Sequence, residues 1–172
     1  MKREAQMQIQ KISKCYCVRR LDEHEVDAVF ALYQTNPKYF DAMHDIPTLE
    51  SVKADLTALP HKKTTEDKFY LGLYEGETLI AIMDLILAYP NNQTAFIGLF
   101  MVDGAWQGKG IGSLIIEQAL GYIKRLGFTS CRLGFVETNL QSKAFWEKNG
   151  FLPTGALRRQ ERCTIVLMEK SL

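Results

Sequence analysis

The chain has few metal-binding residues, and none of them are spaced as ligands. Its three histidines, His24, His44 and His61, show no i, i+4 pair, and its four cysteines, Cys15, Cys17, Cys131 and Cys163, include no C-x-x-C. No metal is expected. The thiols are expected to be reduced and partly buried, with Cys15 and Cys17 on one face of a strand. An excess of one charge is also missing: 21 Lys and Arg against 20 Asp and Glu leave a formal charge of +1. That balance lacks the broad basic footprint of nonspecific nucleic-acid binding, so no nucleic-acid partner is expected. No apolar run approaches the roughly 18 to 20 residues that span a bilayer. No apolar leader core follows the charged opening Met1-Lys2-Arg3-Glu4-Ala5-Gln6. A cytoplasmic protein with no membrane partner is therefore expected. Repeats, linkers and low-complexity tracts are absent too. What is present is apolar material, 47% of 172 residues, enough for one sizeable core, so residues 1–172 are read as a single domain.

Residues 15–21 are rich in strand formers, and Asp22 can cap a helix over about 23–35 with Val26, Val29, Phe30 and Tyr33 on one stripe. Asn36-Pro37-Lys38-Tyr39-Phe40 should break that helix, because proline cannot continue it. Thr48 can cap a second helix that buries Val52, Leu56 and Leu59 and ends at Pro60. Strands are expected over 69–74, 78–89 and 94–102, separated by Glu75-Gly76-Glu77 and Pro90-Asn91-Asn92, which makes an antiparallel meander. From Ile111 the apolar residues Leu114, Ile115, Ala119, Tyr122, Ile123 and Leu126 keep the helical period until Gly127. The next strand, 130–136, should run parallel to its predecessor because the helix makes a crossover. A short helix over 140–148 and a closing hairpin, 151–157 and 163–168, complete the chain.

Between the most apolar strand and the most regular helix lies Gln107-Gly108-Lys109-Gly110-Ile111-Gly112-Ser113. Glycines there free successive N–H groups to face one concavity, and a helix start adds partial positive charge, so a phosphate or pyrophosphate is the expected ligand. Two common phosphate motifs fail on the same residues. A P-loop needs four residues between its first Gly and Gly-Lys, whereas Gly104 and Gly108 enclose three, and Gly110 rather than Ser or Thr follows Lys109. A dinucleotide fingerprint needs glycine where Ser113 stands.

The segment does match Q-x-x-G-x-G, and by it the chain resembles the GNAT superfamily of N-acetyltransferases. A second signature of that family appears as Asn139, Ser142, Trp146 and Gly150-Phe151, at the family's separation. The element order fits over essentially the whole chain. Asn36-Pro37-Lys38-Tyr39-Phe40, Asp84-Leu85 to Tyr89-Pro90 and Ile97-Gly98-Leu99 resemble one group of bacterial members. The resemblance implies an α/β, three-layer fold. Its mixed sheet would have six to seven strands: an antiparallel N-terminal meander, then a central parallel pair that splays, with helices on both faces. The strand would bulge near its C-terminal end.

The resemblance also implies acetyl-CoA as co-substrate and direct acetyl transfer to a small-molecule or peptide amine, by a monomer or homodimer. Phe100, Met101 and Val102 would lie along the pantetheine arm, and Gly108, Gly110, Ile111, Gly112 and Ser113 would take the pyrophosphate, flanked by Gln107 and Lys109. Asn139 and Ser142 would meet the pantetheine from the opposite wall, with Phe145 and Trp146 near the thiol. Tyr33, Tyr39 and Phe40 fall where the family roofs its acceptor. One departure matters: many members carry tyrosine, the usual proposed acid, where this chain has Trp146, and an indole N–H is no useful acid. A noncatalytic CoA-binding module therefore stays open as an alternative, and so does a nucleotide-binding protein. For a base or amine anchor, Asp84 stands out as a lone carboxylate within an apolar strand, with Glu137 second.

Overall fold

Among the described residues seven strands assemble into one sheet. The computed structural model describes residues 7–172, so the charged opening segment lies outside the described residues. The strands are β1 (Cys17–Arg20), β2 (Lys68–Glu75), β3 (Thr78–Ile86), β4 (Thr94–Val102), β5 (Ser130–Val136), β6 (Leu152–Arg159) and β7 (Thr164–Ser171). The helices are α1 (Val26–Gln34), α2 (Pro37–Met43), α3 (Leu49–Thr57), α4 (Ile111–Arg125) and α5 (Leu140–Lys148). Strand order is β1-β2-β3-β4-β5-β7-β6, and among the described residues only β4 and β5 are parallel. The α/β mixed sheet with helices on both faces is as expected.

The parallel pair is short. It holds from Thr94↔Ser130 to Ile97↔Leu133 and then parts. Just where it parts, β4 carries an extra residue: Leu85 faces Ile97 and Asp84 faces Leu99, leaving Gly98 without a partner. The bulge therefore sits at the middle of β4, not near its C-terminal end. Beyond it, β5 pairs with β7 alone, and the two central strands open toward the C-terminal end of β4.

Each sheet face has its own core. On one, α4 and α5 cover Leu71, Leu73, Met83, Leu85 and Ile97, with Ile115, Ala119 and Ile123 of α4 fully buried. On the other, α1 to α3 cover Tyr70, Tyr74, Ile82 and Met101 through Val29, Leu32, Phe40 and Val52. Each aliphatic side chain buried in this way contributes about 1.5–3 kcal/mol.

Several local expectations need correction. β1 begins at Cys17, so Cys15 is not on a strand with it, and both thiols are exposed. Asp22 does cap, accepting from the His24 N–H in a capping box with Glu25, but the first turn is 3-10 and α1 proper starts at Val26. Pro37 ends one helix and begins another: α2 has it at the first turn, where its missing N–H costs nothing. Among the described residues three α-helices therefore precede the meander, not two. Thr48 caps α3 as expected, yet α3 stops at Thr57, and β3 stops at Ile86. Among the described residues no helix is long and apolar enough to cross a membrane.

Candidate active site

A cavity of about 600 Å³ opens at the C-terminal end of β4, between α2, the start of α4 and α5. Its geometry follows from the glycines. Gly108 and Gly110 have φ of 73° and 78°, and a Cβ on either would meet nothing, so backbone freedom is the reason for glycine. At Gly112 the reason is space, because a Cβ would lie 3.1 Å from Phe145 and 3.4 Å from Val102. Gly110 is the N-cap of α4, contributes no capping side chain, and no acidic residue stands in the first turn. The leading N–H groups of the 15-residue α4 are thus left for an anion.

All the residues expected at the cofactor line this cavity except Lys109: Phe100, Met101, Val102, Gln107, Gly108, Gly110, Ile111, Gly112, Ser113, Asn139, Ser142, Phe145 and Trp146. Lys109 instead donates to the Ala105 carbonyl at 3.0 Å and sits over Trp106. Asn139 both lines the cavity and caps α5, accepting from the Ser142 N–H at 3.0 Å. Trp146 is buried in a ring cluster with Phe100, Phe145 and Phe151, which makes this wall of the cavity apolar.

Of the three aromatics expected over the acceptor, only Tyr39 reaches the cavity. Tyr33 and Phe40 are core residues. The Tyr33 hydroxyl donates to Asp55 at 2.6 Å and shares a 2.7 Å hydrogen bond with Tyr70, and its ring packs on Phe40. Burial pushes the phenols of Tyr33, Tyr39 and Tyr70 well above their ordinary range. Thr35, Asn36, Lys38 and Gln141 also line the cavity and were not anticipated. Asn36 shows why: its partners lie far along the chain.

Asp84 and Glu137 differ sharply. Glu137 is exposed just past β5 and does not line the cavity. Asp84 is not a lining residue either, but it is buried on the α1–α3 face, two residues along β3 from Ile82, the partner of the lining residue Met101. Lys68, itself buried, holds its Oδ2 at 2.8 Å, while Oδ1 is buried with no hydrogen-bond partner among the described residues. Gly98 leaves the space: a Cβ there would stand 2.7 Å from Oδ2. Desolvation lifts the Asp84 pKa to about 6, against the opposing pull of Lys68. Among the described residues no three His, Cys, Asp or Glu side chains gather as a metal site would require.

The parted strands β4 and β5 and the uncapped start of α4 thus meet at one open cleft with backbone N–H groups at its edge. Residues 27–151 match the Acetyltransferase (GNAT) family, and the protein belongs to it. It is 28% identical over 140 residues to Bacillus subtilis YwnH, provisionally named a phosphinothricin acetyltransferase, across 79% of this chain and 84% of that protein. It is 35% identical over 72 residues, 41% of its length, to Protein SPT10 of Saccharomyces cerevisiae, and spans only 11% of that longer protein. In fold it is similar to an acetyltransferase from Thermus thermophilus (TM-score 0.73, 21% identity, 91% of this chain and 97% of that one). It is likewise similar to RimL, a ribosomal L7/L12 alpha-N-protein acetyltransferase solved with coenzyme A (TM-score 0.72, 18% identity, 96% and 98%).

Proposed function

We propose that this chain transfers the acetyl group of acetyl-CoA to an amine, and that Asp84, which stands behind the cavity wall rather than in it, takes up the amine's proton. The observation that carries the reading is the uncapped start of α4, with two left-handed glycines ahead of it, opening into the 600 Å³ cavity. These residues fit the cofactor. Backbone N–H groups from Gly108 to Ser113 would hold its diphosphate, and the parted end of β4, at Phe100 to Val102, would run beside its pantetheine. Asn139 and Ser142 would face that arm from α5. Acetyl-CoA supplies an activated acetyl group as a thioester.

The chain's own residues do the rest. Phe100, Phe145 and Trp146 exclude water from one wall, which strengthens every electrostatic contact inside. Asp84 has a buried, unpartnered oxygen and a proton affinity near neutrality, the properties of a group that takes up a proton at physiological pH. Trp146 cannot donate one to the departing thiol, whose ordinary pKa of about 8.5 makes it a tolerable leaving group unaided.

The direct test is calorimetry with coenzyme A, acetyl-CoA and ATP. Heat with both coenzyme forms and none with ATP is expected. No heat with either coenzyme form overturns the reading, and a response to ATP alone favours the nucleotide-binding alternative. A mass-spectrometric search for acetylated products over small amines and short peptides then separates an enzyme from a noncatalytic CoA-binding module.

A further inference from the structure

The end of α1 is fastened to the segment that follows β4 by a compact set of hydrogen bonds. Asn36 Nδ2 donates to the Val102 carbonyl at 3.1 Å and to the Leu32 carbonyl at 3.1 Å. Gln107 Nε2 donates to the same Val102 carbonyl at 2.8 Å and to Asn36 Oδ1 at 2.9 Å. Beside them, Thr35 Oγ1 accepts from the Gly104 N–H at 2.9 Å. The approach is close enough that a Cβ on Gly104 would stand 3.0 Å from the Thr35 carbonyl.

The position of this joint gives it consequence. Val102 ends the strand that splays, Gln107 opens the glycine segment, and Asn36 immediately precedes α2, which carries Lys38 and Tyr39 to the cavity. Three walls of the cavity therefore meet on two carboxamides. A carboxamide both donates and accepts from one planar group, and Asn36 uses both ends here. The Gln107 side chain is occupied with Asn36 and Val102, so it acts by fixing its neighbours.

We infer that Asn36 and Gln107 are positioning residues that couple the cofactor loop to α2, so that a diphosphate held at α4 also orders the roof over the acceptor. This rests on the cofactor reading above. If this joint ties the order of α2 to the cofactor loop, then coenzyme A binding and the order of α2 are coupled, and the coupling is reciprocal.

Amide hydrogen exchange with and without coenzyme A tests the inference without needing the acceptor or any turnover. In the wild-type protein, coenzyme A is expected to slow exchange both at the start of α4 and across α2, by about fivefold or more in α2. Asn36→Ala should keep the protection at α4 and lose most of it at α2. Asn36→Asp keeps the size and the oxygen that accepts from Gln107 but cannot donate to Val102. It should fail like alanine, whereas a purely steric role would leave it like wild type. Unchanged protection of α2 in the variants overturns the coupling, as does a wild-type α2 that ignores coenzyme A while α4 responds. Absence of any response at α4 overturns the cofactor reading itself.

Discussion

Acidification is expected to switch Asp84 off, and the structure fixes where. Its carboxyl is buried on the α1–α3 face among Lys68 and Tyr70 of β2, Tyr33 of α1 and Asp55 of α3, with Gly98 and Leu99 of β4 alongside. Desolvation and the Asp55 carboxylate raise its pKa, and Lys68 lowers it, with a result of about 6. The step from the ordinary 3.8 to about 6 corresponds to about 3 kcal/mol. The sign is set by linkage. Between about pH 4 and pH 6 the folded protein holds more protons at this position than the unfolded chain, so its stability falls as pH rises through that window and then levels. Denaturant titrations across the window should therefore show a wild-type slope that Asp84→Asn lacks. The rate runs the other way: acetyl transfer under single-turnover conditions should rise through pH 6, dropping about tenfold for each unit below it. Lys68→Met removes the opposing cation and should move that midpoint upward. A wild-type rate profile in Asp84→Asn would remove Asp84 from the mechanism, and a midpoint that does not move in Lys68→Met would refute the electrostatic reasoning.

Gly98→Ala places a methyl 2.7 Å from Asp84 Oδ2 and should push the carboxylate off Lys68, costing about 1–3 kcal/mol of stability by urea unfolding and lowering turnover with coenzyme A affinity unchanged. Gly110→Ala forces an L side chain to φ 78°, a strain of about 1–2 kcal/mol. Calorimetry should show weaker coenzyme A binding in that variant, because relief of the strain would turn the α4 N–H groups away from the cavity.

The parts of the fold read correctly from the chain are those whose cause is local. The stripe from Leu114 to Ile123 makes α4, Asp22 and Thr48 cap the helices they precede, and Gly108 and Gly110 free the backbone beside the cavity. What was missed depends on partners remote in sequence. Pro37 is compatible with stopping α1 and with starting α2, and only the burial of Phe40 against Tyr33 shows that both occur. Tyr33 and Tyr39 are equally aromatic on paper; the difference is that Asp55 and Tyr70 satisfy the Tyr33 hydroxyl inside the core. Lys68 sits diagonal to Asp84 across β2 and β3, so their ion pair becomes visible only once the register Tyr70↔Asp84 is known. Asn36 is the extreme case, since its contacts with Val102 and Gln107 cross 66 and 71 residues. Its side chain leaves the start of α2 uncapped and meets a demand elsewhere. Here that demand is a carbonyl at the end of the splayed strand, and meeting it gives the cavity its corner.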